Sequence, residues 1–296
     1  MSFFVDRFYR FVSVANPQKI KDALMTLGGH GLCGTVIVAD EGINGTVSGP
    51  CAVRPQLVQL LCEYGIELPA VHQDVDVIPF QRLFVRIKSE IVTMGMPAID
   101  PNVQRGRYVL PEQWNELITD PEIIVVDTRN DFEVKLGTFQ GAENPDTRSF
   151  RAFPEWVDQN LERLAQAKGV AMFCTGGIRC EKATSYLNSK GLDTTFHLKG
   201  GILDYLEQIE PDSSLFQGDC FVFDDRVALN HFGEIGQGVS ICFGCRRAIR
   251  DDEKEHPHYE EGVSCVSCFH ETSEAQKQKY RSRHQQKLNE MTTKGK

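Results

Sequence analysis

Short apolar runs alternate with amphipathic segments between residues 110 and 212. The runs at 123–126 and 170–173 are apolar throughout, and 195–198 forms a third strand pattern. Such runs are typical of strands buried on both faces of a sheet. Helical spacing separates them, at 111–118, 153–167, 181–189 and from Gly201 to Ile209. The alternation predicts an α/β domain with a parallel sheet that helices cover on both sides.

Residues 1–96 follow a different pattern. Strand patterns lie at 7–14, 33–39, 44–48 and 83–92, and helical patterns at 17–28 and 55–64. Asn16 followed by Pro17 is a favourable helix start, because the side chain caps and proline suits the first turn. The order βαββαβ predicts a ferredoxin-like split βαβ domain. Within it, the glycine-rich loop 41–45 is interpreted as a backbone turn, with ligand contact as the alternative.

Three further segments complete the chain. Residues 97–109 contain proline and glycine without an apolar period and are predicted to link the two domains. Residues 213–272 are rich in cysteine and only weakly periodic. Residues 273–296 form a polar, helical tail, in which seven basic residues and one acidic residue follow position 275. Since the whole chain has a net charge of −9, the tail resembles a nucleic-acid-binding arm, although a solvated tail has the same composition.

The hydropathy pattern argues against a membrane protein. No run approaches the roughly 20 apolar residues that cross a bilayer. Asp6 and Arg7 interrupt the aromatic N-terminal segment, which therefore does not have the pattern of a signal peptide. The ten cysteines are diluted over 296 residues and fall mostly in short motifs. This use of cysteine indicates a cytoplasmic protein with reduced, metal-binding or catalytic thiols.

Cys174 is the candidate nucleophile. It directly follows the strand at 170–173 and precedes two glycines and a helix. Glycines let consecutive amides turn inward, and the helix start adds its positive end, so both favour the thiolate. Arg179 is expected either to bind an anionic substrate group or to brace the loop. The predicted active-site loop consists of Cys174, Thr175, Gly176, Gly177, Ile178 and Arg179.

Cys180 stands at the start of the following helix, six residues after Cys174. Two interpretations remain open for it. It is either a resolving thiol that forms a disulfide with Cys174 after persulfide chemistry, or a small residue that packs inward.

Two cysteine pairs near the end of the chain predict a metal site. Cys242, Cys245, Cys265 and Cys268 form the pattern C-x2-C-x19-C-x2-C. This spacing fits a structural zinc ribbon with four thiolate ligands. A weakly apolar segment of this size needs such a metal to fold. Two redox-active C-x-x-C pairs are the alternative, but they lack the strand-to-helix context of redox motifs.

Several motifs between residues 127 and 206 resemble the rhodanese family. Asp127 and Arg129 match its strand-end Asp-x-Arg motif, and the 174–179 loop matches C-x-x-G-x-R. The resemblance extends to the segment 137–144, where Thr138 replaces a common histidine, and to the closing L-x-G-G motif at 198–201. Four residues separate Cys174 from Arg179, as in the compact rhodanese loop, whereas related dual-specificity phosphatases have five. The resemblance therefore implies sulfur chemistry at Cys174 rather than phosphate hydrolysis.

The chain as a whole resembles the rhodanese-related tRNA uridine(34) hydroxylases. The loop 41–45 and the loop 174–180 carry the most specific parts of this resemblance. It implies oxygen-dependent conversion of the wobble uridine to 5-hydroxyuridine, with O2 as co-substrate, an undetermined electron donor and a persulfide at Cys174. The partner would be the anticodon region of tRNA. A plain sulfurtransferase and a non-enzymatic adaptor are the rival hypotheses.

A wobble base is single-stranded and can be splayed into a protein pocket. Arg148, Phe150 and Arg151 precede the helix at 153–167 and are candidate anticodon contacts. Ordinary surface residues would look the same.

Overall fold

The computed structural model describes residues 3–68 and 73–294. Its N-terminal domain has five strands and two helices. In chain order these are β1 (Phe3–Phe11), α1 (Pro17–Gly29), β2 (Cys33–Ala39), β3 (Gly42–Pro50), α2 (Arg54–Cys62), β4 (Gln73–Val75) and β5 (Leu83–Ile87).

Helix α1 illustrates how local sequence sets an element. The Asn16 side chain accepts a hydrogen bond from the Lys19 amide at 3.1 Å, and Pro17 opens the first turn. Ile20, Leu24 and Leu27 recur at helical spacing and are buried against the sheet. Their burial fixes the side of the sheet on which the helix lies.

The N-terminal sheet has the order β4-β1-β3-β2-β5. Its first four strands pair antiparallel, as in a split βαβ domain, whereas β5 joins the far edge parallel to β2. The segment at 83–92 was expected to close the βαββαβ order, but the short strand β4 takes that position beside β1. Three residues, Gln-Asp-Val, are too few and too polar to produce a strand signal.

The central domain contains a four-stranded parallel sheet of order β6-β10-β9-β7. Helices lie on both faces, as the apolar runs predict. The elements are β6 (Arg107–Val109), α3 (Pro111–Ile118), β7 (Ile123–Asp127), α4 (Asp131–Val134), β8 (Gly137–Phe139), α5 (Phe153–Gln166), β9 (Gly169–Phe173), α6 (Ile178–Ser189), β10 (Thr195–Leu198) and α7 (Gly201–Gln208). Strand β6 lies within the segment expected to be a linker, because the backbone of its three residues pairs with β10.

The C-terminal extension is attached through the strand pair β8–β11. Its elements are β11 (Phe216–Gly218), β12 (Cys220–Phe221), β13 (Ala228–Leu229), β14 (Val239–Ile241), β15 (Ala248–Arg250) and the long helix α8 (Glu274–Lys294). Helix α8 packs on the extension: Arg281 pairs with Glu260 at 2.6 Å, and the ammonium of Lys277 lies 3.7 Å from the ring centroid of Phe269. Several basic residues of the tail thus have partners within the protein. Among the described residues, no helix is both long and apolar enough to traverse a bilayer.

Candidate active site

Cys174 lies where strand β9 ends and helix α6 begins. The Gly177 amide donates to the Cys174 Sγ atom at 3.1 Å. Gly177 has φ of 92°, a left-handed conformation that disfavours side chains and that turns this amide toward the sulfur. The loop therefore forms the anion-binding nest that its glycines predict.

The closing glycine motif holds this loop from the other side. The amides of Ile202 and Leu203, in the first turn of α7, donate to the carbonyls of Cys174 and Thr175 at 2.9 and 3.2 Å. A Cβ on Gly201 would lie 2.5 Å from the Cys174 carbonyl oxygen. Glycine is required here because helix α7 approaches the catalytic loop too closely for a side chain.

The loop environment favours a thiolate at Cys174. Burial raises the pKa of this thiol, but a hydrogen bond from Cys180, the charge of Arg179 and the backbone amides of Arg179 and Cys180 outweigh burial and lower the pKa to about 6. The Cys174 side chain is 1% exposed. A Cβ added to Gly176 would meet nothing within 4 Å, so the loop is open on that side. A reagent that reaches Cys174 is expected to approach past Gly176.

Cys180 lies against the same sulfur. It is fully buried, and its Sγ atom is 3.5 Å from the Thr128 hydroxyl. Burial raises the pKa of the Cys180 thiol, and the hydrogen bond to Cys174 and the negative charge there raise it further. The Cys180 thiol therefore keeps its proton and donates a hydrogen bond to the Cys174 thiolate.

Arg179 is held by a carboxylate. Its guanidinium donates to both oxygens of Glu133 at 2.7 Å, and both side chains are buried. Burial raises the pKa of Glu133, but the charge and hydrogen bonds of Arg179 outweigh it and lower the pKa. Of the two roles expected for Arg179, bracing the loop is the one that these contacts support. The Thr175 hydroxyl also reaches this pair, at 3.4 Å from Arg179.

Asp127 and Arg129 form a second buried ion pair, at the end of strand β7. Arg129 donates to Asp127 at 2.6 Å and to the Gly137 carbonyl, and neither side chain is exposed. Thr138 donates to the same carboxylate at 2.8 Å. Threonine at the position where a histidine is common therefore supports Asp127. This pair joins β7 to β8 and contributes to the framework rather than to the reactive surface.

The N-terminal domain contributes a tyrosine to the site, which the sequence did not reveal. Tyr9 and Tyr108 both donate to the Glu181 carboxylate, at 2.8 and 2.6 Å. A Cβ on Gly177 would lie 3.0 Å from the Tyr9 hydroxyl, so this side chain sits directly against the Cys174 loop. Ile178 packs into an apolar cluster with Phe11 of strand β1. The nest is thus covered by a second domain.

The loop 41–45 serves as a brace between domains. Lys182 of helix α6 is fully buried and pairs with Glu41 and Glu90 at 2.8 Å each. Glu41 also accepts from the Ile91 amide at 2.7 Å, and Asn44 donates to the Ile91 carbonyl at 3.0 Å. The turn between β2 and β3 is confined to residues 40 and 41, because residues 42–45, expected to be part of the turn, already pair with β1 and β2 as the start of β3. Through its contact with Lys182, Glu41 holds the helix that begins at the catalytic loop.

The three candidate tRNA contacts differ in exposure. Arg148 is exposed and pairs with Glu271 at 3.0 Å. Arg151 is exposed and lines a shallow groove of about 660 Å³ together with Met94. Phe150 is only 6% exposed, because its ring stacks on Phe153 in the core at a centroid distance of 5.6 Å. Its faces are covered by protein, so only the two arginines remain as proposed contacts.

The four C-terminal cysteines converge as their spacing predicts. Their Sγ atoms all lie within 4.8 Å of one another, with separations of 3.9, 3.8 and 3.7 Å for three of the pairs. Tetrahedral zinc with Zn–S bonds of about 2.3 Å requires sulfur separations of about 3.8 Å. The cluster, formed by Cys242, Cys245, Cys265 and Cys268, can therefore bind a metal ion.

Comparison with known proteins agrees with this architecture. Residues 4–91 match the family described as UPF0176 acylphosphatase like domain, and residues 110–208 match the rhodanese-like domain. Three proteins named tRNA uridine(34) hydroxylase are similar over nearly their full length. Those of Deinococcus radiodurans, Bartonella bacilliformis and Brucella anthropi are 49%, 47% and 44% identical, over 93%, 96% and 98% of this chain and 91%, 94% and 96% of theirs. With both domains and this coverage, the chain belongs to the tRNA uridine(34) hydroxylase family.

Proposed function

We propose that this chain hydroxylates the wobble uridine of tRNA, at position 34, to 5-hydroxyuridine in an oxygen-dependent reaction. The observation that carries the proposal is the nest around Cys174, which lowers the pKa of that thiol to about 6 and is covered by the N-terminal domain. Membership of the family supports the substrate and the reaction.

Cys174 acts in this proposal as the nucleophile and carries sulfane sulfur as a persulfide. A thiolate is the reactive form of cysteine, and at neutral pH a pKa of about 6 keeps most of the thiol in that form. The residues from Thr175 to Arg179 hold the anion through amides and charge. Four intervening residues make a compact loop, which supports sulfur chemistry over phosphate hydrolysis.

The proposed partner is the anticodon region of tRNA in the cytoplasm. Arg148 and Arg151 are exposed and are proposed to contact phosphates, which makes binding sensitive to salt. Zinc is the proposed ion at the four-cysteine cluster, because four thiolates at tetrahedral separations suit it. Its role there is structural.

The test is mass spectrometry of tRNA nucleosides from cells that lack this protein. The same cells are complemented with the wild-type chain or with Cys174→Ser, and the abundance of both chains is checked by immunoblot. We expect 5-hydroxyuridine and its derivatives to return with the wild-type chain alone. Unchanged amounts of these nucleosides in all three strains would refute the proposal.

A plain sulfurtransferase is the second candidate, and the compact loop favours it. That activity would need only the central domain, so a chain without residues 1–95 would transfer sulfur from thiosulfate to cyanide as fast as the full chain. Hydroxylation is expected to be lost on this deletion, because Tyr9 and Glu41 contact α6 from the N-terminal domain. A non-enzymatic adaptor would not require a thiolate at Cys174, because binding alone needs no nucleophile.

A further inference from the structure

An exposed aromatic ring of the edge strand β5 is flanked by two arginines, one just before the strand and one within it. Side chains alternate along a strand, so Val85 points into the core while Phe84 points to the opposite face. Phe84 is 37% exposed. The guanidinium carbons of Arg82 and Arg86 lie 4.3 and 5.7 Å from its ring centroid. Both cations are within cation–π range of the ring, and all three side chains are exposed.

The charge of this edge is of one sign. Residues 81–89 contain three basic residues, Arg82, Arg86 and Lys88, and no acidic residue. All three are exposed. On an otherwise acidic protein, this edge is complementary to a polyanion.

The same face of the sheet leads to the active site. Residues that pair in register share a face. The pairing connects Arg86 to Ile37, Ile37 to Asn44 and Asn44 to Tyr9. Tyr9 is the side chain that lies against the Cys174 loop. Three strand spacings of about 4.8 Å separate β5 from β1, or about 14 Å, a distance that a few nucleotides of a splayed loop span.

The combination fits single-stranded RNA. Proteins hold unpaired bases by stacking them on aromatic rings or guanidinium planes, with cations along the backbone, and sheets that present aromatic side chains on an open face are used in this way. In duplex RNA the bases stack on one another, so their faces are not available to a protein side chain. The arrangement therefore selects an unpaired segment, and the spacing of about 14 Å from β5 to β1, whose Tyr9 lies against the Cys174 loop, selects a segment next to the reacting base.

We propose that Arg82, Phe84 and Arg86 form a stacking platform for an unpaired anticodon-loop nucleotide that flanks the target uridine. This inference rests on the proposed tRNA substrate and adds the surface that presents it. The platform holds the neighbouring base while the target base enters past Gly176.

The test is the affinity of the purified full-length protein for an unmodified anticodon stem-loop hairpin that carries uridine 34. Phe84→Ala and Phe84→Leu are expected to weaken binding about 5- to 150-fold, the range found for the loss of one stacked base. Phe84→Tyr, which keeps the ring, is expected to bind like the wild type. Phe232→Ala is the matched control, since that ring is 70% exposed on the extension.

Salt dependence separates the roles of the ring and the cations. The logarithm of the association constant falls as the logarithm of the salt concentration rises. We expect the double variant Arg82→Ala/Arg86→Ala to make this fall less steep by about 1 to 2, whereas Phe84→Ala leaves its steepness unchanged. Wild-type affinity in both Phe84→Ala and Phe84→Leu would overturn the platform while the proposed function stands, provided that Cys174→Ser abolishes 5-hydroxyuridine. If the wild-type protein failed to bind the hairpin and left 5-hydroxyuridine unchanged in cells, both proposals would be wrong.

Discussion

The Arg179 guanidinium and the Glu133 carboxylate form two parallel hydrogen bonds of 2.7 Å in the interior of the catalytic domain. Glu133 is fully buried and the Arg179 side chain is 9% exposed. Because the carboxylate occupies the fork of the guanidinium, Arg179 is anchored by the protein. Its positive charge acts on the Cys174 thiolate, whose pKa it lowers.

This anchoring predicts a large stability effect from Glu133→Ala. The variant leaves a buried guanidinium without its partner, which is expected to cost about 3–5 kcal/mol. The free energy of unfolding in urea measures it. Glu143→Ala is the matched control, because Arg163 and Glu143 make the same two 2.7 Å contacts with side chains that are 45% and 37% exposed. The control is expected to lose less than about 1 kcal/mol. Equal losses in the two variants would contradict the role given to burial.

The role of Cys180 is decided by two substitutions. Cys180→Ser keeps a hydrogen-bond donor beside the Cys174 thiolate, whereas Cys180→Ala removes it. We expect the pKa of Cys174 to rise in the alanine variant and to stay low in the serine variant. Hydroxylation near pH 7 would then fall in Cys180→Ala, recover at higher pH, and persist in Cys180→Ser. If both variants were inactive at every pH, Cys180 would be a resolving thiol instead.

The four-cysteine cluster predicts about one zinc ion per chain, measured by elemental analysis of the purified protein. Cys268→Ser is expected to lower the zinc content and to make residues 239–272 sensitive to protease, since this part of the extension has only a small apolar core. Cys62→Ser, at an exposed cysteine outside the cluster, should change neither property. A zinc-free wild-type chain with a protease-resistant extension would contradict this account.

The sequence allowed prediction of elements whose signals are local. Helix α3 begins and ends where expected, at Pro111 and Ile118, because proline fixes its start and its apolar spacing is strong. Strands β4 and β6 were missed, because each has only three residues and forms through pairing with distant strands. A pairing partner far away in the chain leaves no trace in a short local pattern.

In the candidate site, too, local features were predictable from the sequence and long-range contacts were not. The Cys174 loop was predictable, because its glycines and its arginine are contiguous. The Arg179–Glu133 pair and the contact of Tyr9 with the loop were not, since their members lie 46 and more than 160 residues apart. Phe150 looked available for a base, yet its burial depends on Phe153 and on how helix α5 packs.

The thiolate at Cys174 is the central claim, and its titration tests the claim most directly. Thiolate absorbance near 240 nm is measured against pH for the wild-type protein, and the same titration of Cys174→Ser is subtracted. Because the nest favours the charged form, the difference should rise with a midpoint near pH 6, so that Cys174 is mostly ionised at neutral pH. A midpoint near 8.5, that of free cysteine, would contradict the account.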